Sequence, residues 1–153
     1  MDVIDIKETV FDVVLFYWKN KLWSNRKSEI KPMSSMQYLG GFDMSIYKKY
    51  SPTFFIATIN EKIIGVNSGH RTSKSSYRTR GIWVDPKYRN LGISQQLFSV
   101  IKNNAIKENC DNIWSIPRKN ALPAYEKFGF KRTSEFTDKD MEFGPNCYVL
   151  YKL

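Results

Sequence analysis

The sequence predicts one α+β domain around a mixed, mainly antiparallel central sheet, and three observations carry that expectation. Two runs rich in aromatic and β-branched residues, Thr53–Ile59 and Ile63–His70, are separated only by Asn60-Glu61-Lys62, so they form a hairpin. A third strand, Tyr77–Val84, follows a short polar turn and leads at once into a helical apolar period. The remainder reads as strand, helix and two strands. A chain of 153 residues is of the size that one domain with a real hydrophobic core fills, so residues 1–153 are expected to be a single domain.

Each element has a local cause. Val3-Ile4-Asp5-Ile6 alternates and reads as a first strand. Thr9 is placed to cap a helix through Trp18, with Val10, Val13, Val14 and Tyr17 on one face. Lys19 to Pro32 is polar and basic and reads as a loop or broken helix. Ser34 to Tyr38 begins another short helix that ends at Gly40-Gly41, while Asp43 to Tyr50 fits neither period. After the three central strands, Leu91–Ile106 is a helix with Leu91, Leu97, Ile101 and Ala105 inward. Ile113–Ile116 is a strand that Pro117 ends. Ala121–Phe128 is a helix, Phe130–Thr133 and Cys147–Leu153 are strands, and Ser134–Asn146 is a polar loop.

Composition narrows the classes of function. The acidic start Met1-Asp2-Val3-Ile4-Asp5 is unlike a basic secretory leader. No apolar run approaches the ~18–20 residues that span a bilayer. Two cysteines, Cys110 and Cys147, make no disulfide framework, and with a single histidine, His70, no metal site is expected. A cytoplasmic protein without a membrane partner follows as the expectation. The net charge of +9 has three readings: attraction to nucleic acid, attraction to a polyanionic cofactor, or a solvated lysine-rich surface. The basic residues form no dense block, so nucleic acid is not singled out as a partner.

The most informative stretch is Arg89-Asn90-Leu91-Gly92-Ile93-Ser94. It follows the strand ending at Val84 and the turn Asp85-Pro86-Lys87-Tyr88, and it opens a helix. Free backbone N–H groups and the positive end of the helix dipole meet at such a junction and attract anions. Gly92 lets a ligand approach the backbone closely, and Arg89 adds a fixed charge suited to phosphate oxygens.

Trp83 to Ser94 resembles the central motif of the GNAT superfamily of N-acetyltransferases, V-x-P-x-x-R/Q-x-x-G-x-G/A. Arg89 matches the Arg/Gln position and Gly92 the glycine, while Ser94 replaces the usual Gly or Ala with another small residue. Downstream, Ala121, Tyr125, Glu126, Lys127, Gly129 and Phe130 resemble the family's A-x-x-x-Y-E-K-x-G-F segment. The two motifs stand in the family's order, and the resemblance spans residues 53–153.

That resemblance implies a GNAT-like sheet with helices on both faces and an acetyl-CoA-dependent transfer of an acetyl group to a primary amine, by direct attack in a ternary complex. It implies acetyl-CoA as co-substrate, with backbone contacts from Ile82, Trp83 and Val84. The pyrophosphate is expected at the amides of Asn90, Leu91, Gly92, Ile93 and Ser94 and at the Arg89 side chain. Tyr125 matches the tyrosine that protonates the departing thiolate. The position that the family often gives to asparagine is Arg118 here, and Asn120 is the nearest asparagine. Asn120 is therefore expected either at the cofactor or as a helix cap, and Arg118 is open to a CoA phosphate. His70, with the intrinsic pKa of a base, is the expected general base. Asp138, Asp140 and Glu142 are its alternatives. Trp18, Trp23, Tyr38, Phe42 and Tyr47 lie in the family's variable, acceptor-binding part. The acceptor amine itself is not legible, and a homodimer stays open. Two other functions remain: a CoA-binding protein of the same fold without catalysis, and a basic nucleic-acid-binding domain.

Overall fold

A computed structural model describes residues 3–34, 45–138 and 144–153. The expected short helix ending at Gly40-Gly41, Tyr38, Phe42, Asp140, Glu142 and the side chain of Tyr47 lie outside the described residues. The described chain runs β1 (Ile4–Thr9), α1 (Phe11–Tyr17), a π-helical segment (Trp18–Leu22), α2 (Ile46–Lys49), β2 (Thr53–Ile59), β3 (Lys62–Arg71) and β4 (Ser76–Val84). A 3-10 turn (Pro86–Tyr88) leads to α3 (Ile93–Lys107), β5 (Asn112–Ser115), α4 (Leu122–Phe128), β6 (Lys131–Arg132) and β7 (Val149–Lys152). The expected order of elements and the mixed sheet are both present.

One seven-stranded sheet takes the order β1-β2-β3-β4-β5-β7-β6. All its ladders are antiparallel except β4 with β5. Asn60 and Glu61, both at positive φ, close the β2–β3 hairpin. Successive strand residues point to opposite faces, and the two phenylalanines of β2 show what that does. Phe55 joins Leu97, Phe98 and Ile101 of α3 in the larger core, and Phe54 joins Val14, Trp18, Val66 and Trp83 beneath α1. Helices therefore cover both faces. Trp18 is fully buried, and removing a side chain of that size from water contributes on the order of 1.5–3 kcal/mol.

Several local expectations are corrected. Thr9 does not cap α1. It belongs to β1, where it pairs with Phe54, and the cap position falls on Val10, which offers no side-chain hydrogen bond. Val10 is also exposed rather than inward. The helix expected from Leu91 starts at Ile93, because Asn90 (φ 65°) and Gly92 (φ 77°) hold the preceding residues in the left-handed region. Leu91 is consequently 54% exposed, whereas Leu97, Ile101 and Ala105 are fully buried as expected. Asn120 does not cap α4, whose cap position is Ala121 without a side-chain bond. Among the described residues no helix is long and apolar enough to cross a membrane.

Candidate functional site

The site begins with a bulge in β4. The β3–β4 register passes from Val66↔Trp83 to Ser68↔Arg80, so β4 spends one residue more than β3 over this interval. Gly81 lies in that interval at φ +76°, and its carbonyl accepts a 2.7 Å hydrogen bond from the Trp18 indole. The Trp18 ring occupies the place a Cβ would need, so only glycine fits. On its other edge β4 pairs with β5 only from Ser76↔Asn112 to Arg78↔Trp114. β5 ends at Ser115, and Pro117, which has no N–H, follows. The strands then part.

The gap between them is a cavity of about 280 Å³, bordered by Gly81 and Ile82 on the β4 side and by Ser115 to Arg118 on the β5 side. A neighbouring cavity of about 430 Å³ is lined by Trp83, Asp85, Pro86 and Arg89, and Leu22 and Arg118 border both. Of the expected β4 contacts, Ile82 lines the first cavity, Trp83 lines the second, and Val84 packs partly buried against the main core.

The turn from β4 into α3 is built in two steps. Asp85 accepts from the Lys87 amide and starts the 3-10 turn, with Pro86 behind it. The first α-helical bond of α3 runs from the Gln96 amide to the Gly92 carbonyl at 3.1 Å. The amides of Ile93, Ser94 and Gln95 precede it and are the orphan donors of a helix start. A Cβ at Gly92 would meet nothing within 4 Å, so the space in front of this amide turn is open. Arg89 is exposed, and its Nε donates to the Val84 carbonyl at 3.4 Å. Ser94 is half-buried at the first turn of α3.

Tyr125 of α4 is buried, yet it borders the first cavity. Its ring packs on Phe98 (4.7 Å between centroids) and Phe130 (5.3 Å), which fixes the helix against the sheet. Its hydroxyl lies 3.3 Å from Ser115 Oγ. Ser115 has one hydrogen, and the 2.7 Å contact to the Thr79 carbonyl is the stronger claim on it. Burial raises the phenol pKa, and the charges of Arg78 and Arg118 work against that rise.

His70 is set apart from this group. It sits in β3 opposite Arg78, is fully buried, and is not among the residues that line either cavity. Burial, then Arg78 and Arg80, push its pKa down to about 3. Its Nδ1 is 3.4 Å from the Arg71 carbonyl. Asn120 is exposed and also lies off both cavities, while Arg118 borders both. Asp138 is exposed. Among the described residues no group of three or more His, Cys, Asp or Glu could hold a metal ion.

The structure adds three residues to the cavity that the motifs did not indicate: Arg26, Arg78 and Arg80. The alternation Arg78-Thr79-Arg80 in a strand does put two arginines on one face, and that was the available signal. Trp23 lines the same cavity, and Trp18 stands behind it.

A family model described as an acetyltransferase (GNAT) domain matches residues 51–132. No curated protein is significantly similar in sequence. Among solved structures, an acetyltransferase of the GNAT family from Staphylococcus aureus is 18% identical with a TM-score of 0.68, covering 98% of this chain and 99% of the other. An acetyltransferase from Streptococcus agalactiae is 19% identical with a TM-score of 0.66, covering 98% of each chain. A GNAT family acetyltransferase from Elizabethkingia anophelis, solved with acetyl-CoA bound, is 19% identical with a TM-score of 0.61, again covering 98% of each.

Proposed function

Because the chain belongs to the GNAT acetyltransferase family, we propose that it is a single-domain, cytoplasmic, acetyl-CoA-dependent N-acetyltransferase acting on a primary amine. The observation that carries this reading is the gap between β4 and β5, bordered by Tyr125, on a chain that also has an open amide turn at Gly92–Gln95. The structural relative with acetyl-CoA bound supports the choice of co-substrate.

The residues fit acetyl-CoA on two counts. Gly92 presents open space at a helix start, where a pyrophosphate finds N–H donors and a favourable dipole, and Arg89 stands beside it. The β4 edge beyond Arg78 is released from β5, so the backbone on that edge is open to an extended amide-bearing arm. Arg118, which borders both cavities, is the residue we assign to the phosphate end in place of Asn120.

Acetyl-CoA supplies the activated acyl group. The amine nitrogen forms the new C–N bond as the C–S bond breaks, and the sulfur leaves with the electron pair. Tyr125 holds its proton at neutral pH, since burial raises its pKa, and gives that proton to the sulfur. A phenol near 10 and a thiol near 8.5 make the transfer uphill by about 2 kcal/mol before burial is counted. Arg78 and Arg118 offset part of that cost by stabilising the phenolate. The amine's own proton passes to solvent in this reading, and the Tyr125 phenolate takes a proton back from solvent before the next turnover. His70, held neutral but with a pKa near 3, is a poor acceptor for it. Neither cysteine enters the scheme: both are buried, and burial raises both thiol pKa values, so a covalent acyl-enzyme is not needed.

Calorimetric titration with acetyl-CoA tests the reading. Binding with a Kd on the order of 1 μM to 1 mM, the usual range of substrate KM values, is the expected result. No heat at the upper end of that range would remove both the transferase and a non-catalytic CoA-binding protein. Tight nucleic-acid binding with a steep salt slope would instead favour the basic binding domain.

A further inference from the structure

Behind Tyr125 runs a buried chain of polar groups. Tyr125 Oη is 3.3 Å from Ser115 Oγ, Ser115 Oγ is 2.7 Å from the Thr79 carbonyl, and Thr79 Oγ1 donates to Asn67 Oδ1 at 3.1 Å. None of these four residues is more than 4% exposed, so the chain is shut off from bulk water except where it meets the cavity. Ser115 and Tyr125 both border that cavity. The position of Ser115 is fixed by its backbone. It is the last residue of β5 and pairs with Val149 of β7, while Thr79 stands one residue past the last β4–β5 pair, Arg78↔Trp114. The Ser115 side chain thus bridges the two strands at the point where they part.

Ser115 has one hydrogen and two neighbours that need it at different moments. The Thr79 carbonyl only accepts. A protonated Tyr125 can donate, so at rest Ser115 gives its hydrogen to Thr79 and accepts from Tyr125. A Tyr125 phenolate only accepts. Resting on the transferase reading, we propose that Ser115 is the positioning residue of the general acid: its hydrogen turns from the Thr79 carbonyl to Tyr125 Oη as that oxygen gives its proton to the leaving sulfur, and turns back when the phenol is restored. One proton is transferred, from Oη to sulfur, and Ser115 keeps its own. The turn is a rotation about the Cβ–Oγ bond and moves no heavy atom. A hydrogen bond to an ionised oxygen is roughly twice as strong as one to a neutral carbonyl, so the gain arises only once the proton is leaving. An interaction that strengthens towards the transition state raises kcat rather than affinity. Burial raises the phenol pKa, and a hydrogen bond from Ser115 is the largest of the effects that lower it, ahead of the charges of Arg78 and Arg118.

The test is a double-mutant cycle between Ser115 and Tyr125. Release of free CoA thiol from acetyl-CoA is followed on the full chain with ethanolamine, benzylamine, glutamate and spermidine as probe amines, and the fastest is carried forward. Ser115→Ala is expected to lower kcat by roughly 10–100-fold, the worth of a hydrogen bond to a charged group. Acetyl-CoA affinity, read by calorimetry, should change little. In the Tyr125→Phe background the same substitution should cost less than about twofold, because the hydroxyl it acts through is gone. A serine that only holds the strand ends together would slow both backgrounds alike. Ser115→Cys, close to serine in size but a weaker donor, carries the same cycle with smaller steps if the alanine variant does not fold. Full kcat in the Ser115 variants, or equal losses in the two backgrounds, would overturn the proposal while the transferase reading stands. No thiol release by the wild type with any probe amine would overturn the transferase reading, and the role of Ser115 with it.

Discussion

The two ends of the site are built from different materials. The anion loop is backbone: six consecutive residues, Arg89 to Ser94, whose two positive-φ positions, Asn90 and Gly92, turn the chain into α3. The arginine-lined end is side chain, gathered from the segment after the π-helical turn, from β4 and from the residues beyond β5. The first kind survives drift in side-chain identity, since any residue presents an amide. The second is specified residue by residue.

The sharpest break in the comparison is at Tyr125, which α4 brings to the edge of the arginine-lined cavity. Tyr125→Phe keeps the ring contacts with Phe98 and Phe130 and removes only the hydroxyl. We expect kcat to fall by roughly 10²–10⁴ with acetyl-CoA affinity little changed. The loss should shrink for acyl donors with more acidic thiols. Near-full turnover, measured where chemistry limits the rate, would return Tyr125 to a packing role.

Gly81→Ala tests the arginine-lined end through its support. A methyl group would collide with Trp18 and force a non-glycine residue to φ +76°. Overpacking and the left-handed backbone together should cost about 2–5 kcal/mol, read as a drop in urea midpoint at constant m-value. An unchanged midpoint would mean that Trp18 moves freely and does not hold Arg80.

Gly92→Val does the same for the loop. Its Cβ meets open space, so the protein should lose only about 1–2 kcal/mol from φ +77°. Acetyl-CoA affinity should fall by at least about tenfold, since the branched side chain fills the ligand's approach. Unchanged affinity in a folded variant would locate the pyrophosphate elsewhere.

The effect confined to acid pH belongs to His70. Its folded pKa is depressed to about 3 from an ordinary 6.5, so the unfolded chain binds the extra proton first as pH falls. Stability is then complete above about pH 6.5 and is lost towards pH 3, at up to about 1.4 kcal/mol per pH unit. Urea midpoints at pH 7 and pH 5 should differ in the wild type, and by less in His70→Gln. Equal slopes would show that other groups set the acid limit.

Much of the fold was legible because its causes are local: alternation in β2 and β3, apolar period in α3, Pro117 after β5. The loop was legible for the same reason, since a glycine and a helix start are read within one stretch. The errors came where a tertiary partner decides. Thr9 has the side chain of a cap, but the β1–β2 ladder takes its backbone. Leu91 fits the apolar period, but two left-handed residues delay the helix. His70 has the intrinsic pKa of a base, and only the fold brings two arginines and full burial to it. Arg78 and Arg80 were visible as strand residues, yet nothing in the sequence says which edge of β4 would be left open.

The packing of arginines on indoles has an optical consequence. The chain has four tryptophans. Trp23 and Trp83 line the two cavities, while Trp18 and Trp114 back the arginines of the first. Indole emission from this protein therefore comes from the walls of the two cavities and the layer behind them. Anything entering either cavity changes the polarity around an emitter, so the unlabelled chain serves as its own fluorescent indicator of occupancy.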